Sequence, residues 1–75
     1  MTYKFEQFRT EITNPQVEVV NVSDNIQAKT CNASIVLITD TAKFGVTLNG
    51  FTYSDSWEDA DIISWVNSEL VQFEV

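Results

Sequence analysis

Four carboxylates crowd one short stretch, Asp55, Glu58, Asp59 and Asp61, with Trp57 among them. Closely spaced oxygen ligands are the chemistry of Ca²⁺ and Mg²⁺ sites. No EF-hand spacing accompanies these acids, and they sit just ahead of an apolar pattern of helical period. The positive end of a helix dipole favours negative charge there. The helix start accounts for the same residues more simply, so no metal or other cofactor is expected. An aromatic ring beside acids also has the makeup of a binding anchor. Trp57, Glu58, Asp59 and Asp61 are therefore the residues expected to meet a partner, above all a basic one. The competing reading folds Trp57 back over the sheet edge as a hydrophobic staple.

Other chemistry is sparse. There is no histidine, which removes the usual base at neutral pH and the Ser-His and Cys-His nucleophile systems. Cys31 is the single cysteine, so no internal disulfide can form. Lys29, two residues away, shares its strand face, but small neighbours (Thr30, Asn32, Ala33) make Cys31 read as a packing residue. Gly45 and Gly50 are the only glycines, and no phosphate loop, nucleophile elbow or dinucleotide fingerprint is present. Tyr3, Phe5 and Phe8 could stack on bases. Eleven acids against four bases, a net charge of −7, oppose that, as they oppose an anionic membrane. The expectation is a protein that is not an enzyme.

The elements that position these residues read from period and punctuation. Turn signals stand at Thr13-Asn14-Pro15-Gln16, Ser23-Asp24-Asn25, Thr39-Asp40-Thr41, Asn49-Gly50 and Ser54-Asp55-Ser56. Residues 2–12 alternate as a strand with a bulge near Glu6-Gln7, or take helical spacing through Phe5, Phe8, Arg9 and Ile12; the strand is preferred. Val17 to Val22 reads as a strand whose apolar residues point both ways. A longer strand lies within Ile26 to Thr39, strongest from Ser34 to Thr39. Phe44, Val46 and Leu48 alternate, and Asn49-Gly50 predicts a two-residue hairpin placing Leu48 across from Phe51 and Val46 across from Tyr53.

The last element is a helix of roughly 14 residues, about 21 Å long. Ser54, Asp55 or Ser56 would cap it, with Asp55 and Glu58 or Ser56 and Asp59 forming a capping box. Ile62, Trp65, Val66 and Leu70 form its apolar stripe, which Ile63 widens. Val71, Phe73 and Val75 alternate, as either a short strand or a frayed helical end.

The predicted fold class is α+β: a small antiparallel β-meander of four to five strands packed with one C-terminal amphipathic helix. Seventy-five residues suffice for one domain, 1–75. Val17-Val22 and Ile35-Val36-Leu37-Ile38 place apolar residues on both sheet faces, whereas a face open to water should be polar. One helix covers one face. The other would be sheltered by a curled sheet, by an N-terminal helix on the far side, or by a partner.

That need for cover, with the net acidity, predicts a non-catalytic protein-interaction module, either a homodimer or a small accessory or inhibitory subunit binding another protein. Two alternatives share the composition: an acidic nucleic-acid mimic that blocks a basic nucleic-acid-binding protein, and a structural subunit of a larger assembly. Direct binding of nucleic acid or membrane is not expected. Small acidic chains of this kind are often encoded by viruses and mobile elements, an analogy of composition only. The N-terminus has no apolar core of a signal peptide and there is no disulfide framework, which together predict a cytoplasmic protein.

Overall fold

The structure, a computed structural model, describes residues 1–54 and 56–75. In chain order its elements are β1 (Thr2–Tyr3), β2 (Ile12–Thr13), β3 (Gln16–Asn25), β4 (Thr30–Ile38), β5 (Lys43–Thr52), α1 (Asp59–Leu70) and a 3-10 turn (Val71–Phe73). The small α+β architecture is as predicted, but the strands divide into two antiparallel sheets, β1-β2 and β3-β4-β5.

The three-stranded sheet owes its sidedness to β4. Cys31, Ala33, Ile35 and Leu37 alternate along it and are all buried. Side chains at period two share a face, so these four form the floor of the core. On the opposite face Val36 lies between Glu18 and Gly45, and Ile38 between Gln16 and Lys43. Val36 and Ile38 are half-buried among those flanking residues, which are exposed. The second apolar face is thus reduced to two residues. Among the described residues neither a curled sheet nor an N-terminal helix covers it.

Two bulges account for much of the difference. Val19 pairs with Ile35 and Asn21 with Ser34, leaving Val20 as an extra residue in β3. An extra residue reverses the alternation beyond it. Val17, Val19 and Val22 therefore all pack against the core, and Val20 is left 58% exposed. The second bulge lies in β5 and corrects the expected hairpin. Ala33 pairs with Leu48 and Cys31 with Phe51, so Asn49 and Gly50 together oppose Asn32. Gly50 takes φ +97° within a continuous strand. The Asn-Gly pair does reverse the pattern, but by shifting phase rather than by turning the chain. Val46, Leu48, Phe51 and Tyr53 still share the core face.

The connections follow from local chemistry. Asn14 adopts φ +48° in the tight turn before Pro15. Ser23-Asp24-Asn25 remains in β3, contrary to expectation, and the reversal occurs at Ile26 to Lys29. There Asn25 accepts the Ala28 N–H at 3.2 Å, and Lys29 takes φ +53°. Thr39 and Ala42 close the β4–β5 turn through a backbone bond of 2.9 Å.

Residues 2–12 form neither one strand nor a helix. β1 and β2 pair with each other, Thr2 with Thr13 and Tyr3 with Ile12, and the intervening loop drives Phe5 into the core. The end of the chain joins them. Lys4 N–H donates to Phe73 O at 2.8 Å, Val75 N–H to Thr2 O at 2.9 Å, and Tyr3 bridges Glu74. Residues 71–75 are therefore a 3-10 turn followed by a short paired segment.

Helix and N-terminal hairpin lie on the same face of the large sheet. A ten-residue strand spans about 34 Å, and a twelve-residue helix only about 18 Å. The helix buries Ile62, Val66 and Leu70. The hairpin extends the cover toward the Leu37 end, where the Phe8 and Phe44 rings meet edge-on at 5.1 Å and Phe5 stacks on Phe73 at 4.4 Å. An elongated body of 38 × 19 × 18 Å results.

Candidate protein-interaction surface

The helix start is built from the residues that the sequence marks for binding. Glu58, not Ser54 or Ser56, is the N-cap, and Asp61 three residues on accepts the Glu58 N–H at 2.9 Å. The cap lies later than expected because the chain stays extended through Glu58, with φ −117° and ψ 166°. Asp55, the third proposed cap, lies outside the described residues. Asp59 and Asp61 occupy the first turn, where the helix dipole stabilises them.

These side chains do not converge on one site. Trp57 is half-buried against the core and lines a hollow with Asp24, Ile26, Tyr53 and Ser56. Asp61 borders a different depression, beside Phe51 and Trp65. Asp59 belongs to a third, and Glu58 is exposed at the cap. Among the described residues no three acids or thiols are grouped to hold a metal ion.

The third depression is formed mainly by apolar side chains. It has a volume of about 450 Å³ and lies between β3 and α1, lined by Val19, Val20, Asn21, Val22, Asp59, Ile62 and Ile63. A smaller hollow of about 240 Å³ adjoins it, formed by Val17, Val19, Ile63, Val66 and Asn67. Val19 and Ile63 belong to both, which joins them into one apolar trough along β3. Ile63 does not widen the buried stripe. It sits one residue beyond Ile62, about 100° around the helix, and is 53% exposed. Val20 faces outward because the bulge leaves it without a partner on β4.

Beside the trough runs the outer edge of β3. The strand hydrogen-bonds β4 on one side, and among the described residues no other backbone group pairs with it. β3 and α1 carry Glu18, Asp24, Asp59, Asp61 and Glu69 and no Lys or Arg. Of these acids, Glu18 flanks this edge and Asp59 lines the trough, whereas Asp61 borders the depression beside Phe51 and Trp65. Glu69 is partly committed, since it accepts the Trp65 indole N–H at 3.0 Å and a bond from Gln72.

Acids elsewhere are dispersed. Glu18 is on the open face with Val36, Glu11 and Asp40 share a depression at the Ile38 end, and the helix acids lie on the covered side. Among the described residues they do not line a single continuous face.

Two further groups are shaped by their surroundings. The Tyr53 hydroxyl donates to Asp24, and that bond, with lesser desolvation and charge effects, pushes its pKa up to about 12. Burial raises the Cys31 thiol, and the nearby Asp24 charge adds to this.

The sequence marked the acids of this region but missed Val20, Ile63 and the trough. Its two signals were the broken alternation in Val17-Val22 and the position of Ile63 at the margin of the stripe. Compared with protein-family models, curated proteins and solved structures, the chain matches none.

Proposed function

We propose that this chain is a non-catalytic binding module that engages another protein through the trough between β3 and α1. The observation that carries the reading is the coincidence of Val20 and Ile63, 58% and 53% exposed, over one apolar trough beside an unpaired strand edge. Single exposed apolar side chains are ordinary on protein surfaces. A concave apolar strip next to free backbone donors and acceptors is the arrangement that strand-adding and groove-binding partners use. A binding role also suits a chain with no histidine and a buried thiol. A thiol in that state suits a reducing compartment such as the cytoplasm.

The test is affinity capture from the native host followed by mass spectrometry, with wild type and a Val20→Thr, Ile63→Gln double variant side by side. Proteins retained by wild type and lost from the variant support the reading. Identical captures from both overturn it.

A homodimer or a structural part of a larger assembly is the second reading. It is favoured by the fact that, among the described residues, β5, like β3, has no strand on its outer side. Two open edges allow copies to add in series. Sedimentation distinguishes it: ordered oligomers support assembly, and a monomer at micromolar concentration removes it.

A further inference from the structure

Resting on that reading, we infer that the occupant of the trough is an extended, basic segment of another protein, added antiparallel or parallel as a fourth strand on the free edge of β3. The trough runs from Val17 to Val22, six positions, or about 20 Å of strand. That is the length of an ordinary β-strand. A strand added there continues the sheet, so its side chains alternate between the two faces. Those on the helix side meet Val20, Val22 and Ile63. Those on the open side come alongside Glu18, and the helix-side end of the trough meets Asp59.

Charge selects a basic segment over a second copy of the chain. Glu18 beside the edge and Asp59 in the trough have no base near them on β3 or α1, so a two-fold partner brings only further acids to this side. Like charges on adjacent strands are unfavourable, and opposite charges both steer and stabilise an encounter. The sequence complementary to this surface alternates an apolar residue with Lys or Arg. Natural edge strands are commonly blunted by lysine or proline. β3 has neither within it; the one such device it carries is the bulge, which presents valine.

The experiment is an NMR titration of the isotope-labelled full chain with an acetylated eight-residue peptide alternating valine and lysine. Control peptides replace lysine by glutamate or carry N-methyl groups on alternate amides. The lysine peptide is expected to shift the amides of β3 and Ile63 saturably. Its affinity should fall about tenfold or more between low and high salt, and by a similar factor with Ile63→Gln or Glu18→Lys. Val20→Thr, β-branched and suited to a strand, serves as the variant certain to keep the strand's preferences. N-methylation is expected to abolish binding, since it removes the strand's donors while keeping its charge.

Equal binding of the glutamate peptide, retained binding after N-methylation, shifts confined to the open face around Val36, or no binding at millimolar peptide would each overturn the proposal. A dimer that dissociates in the Val20→Thr, Ile63→Gln variant would keep the trough as a protein interface while refuting the basic segment. Loss of both the peptide response and any variant-dependent capture would refute both readings.

Discussion

Val20 of β3 and Ile63 of α1 line opposite walls of one trough, and each is more than half exposed. Neither contributes to the buried core, so their cost to the fold is separable from their use in binding. Substituting Val20→Thr and Ile63→Gln should change unfolding free energy by no more than about 0.5 kcal/mol each, as for other surface positions. Urea denaturation of the single variants is the check. A loss above about 2 kcal/mol would mean that these side chains support the fold.

The one-sidedness of the large sheet is tested within two adjacent residues. Leu37 is fully buried, and Val36 lies on the open face. Leu37→Ala should cost about 2–5 kcal/mol. That is a large share of the about 4–11 kcal/mol expected for a chain of this length. Val36→Thr keeps the β-branched shape on a half-wet face and should cost about 1 kcal/mol or less. Equal losses at the two positions in denaturant titrations would show that the open face is covered in solution.

The two glycines should respond oppositely to alanine. Gly50 needs φ +97°, so although an added methyl meets nothing within 4 Å, the left-handed backbone makes Gly50→Ala destabilising by about 1 kcal/mol or more. Gly45 has equal room and no such angle. Gly45→Ala should be neutral or stabilising by up to about 1 kcal/mol, by restricting the unfolded chain. Thermal melts of both variants read the contrast directly.

The Tyr53–Asp24 contact gives a pH signature. The folded pKa of Tyr53, about 12, lies above its ordinary 10.0, so the fold favours the protonated phenol. The contact's stabilisation is therefore complete below pH 10 and disappears as pH rises through about 12. Absorbance titration of the phenolate should show a high midpoint that falls toward the ordinary value in Asp24→Ala. An unchanged midpoint in that variant would remove Asp24 as the cause.

Burial of Cys31 predicts slow thiol chemistry. Its 1% exposure and raised pKa should make labelling by a thiol reagent in native buffer much slower than in urea. Fast native labelling would place Cys31 outside the core. In Leu37→Ala, which raises the unfolded population, labelling should accelerate in step with the lost stability.

What the sequence determined by itself was whatever depends on near neighbours. The apolar run Ile35-Val36-Leu37-Ile38, rich in β-branched residues, marked the central strand, although which of its faces is buried came only from the fold. The period through Ile62, Val66 and Leu70, preceded by acids, specified the helix and its buried side. What only the tertiary structure decided depends on partners distant in the chain. Asn49-Gly50 has the residue types of a tight turn, yet pairing of β5 with β4 on both sides of Asn32 held it inside a strand as a bulge. Val20 broke the alternation of β3, but its meaning required Ile35 and Ser34 across the strand pair to show that one residue was extra. The N-terminal segment was illegible for the same reason, because β1 is held between β2 and the last residues of the chain. The trough was hidden too, since half of it is strand and half is helix. A local pattern records which side of an element is apolar. It does not record where two elements stop short of covering each other.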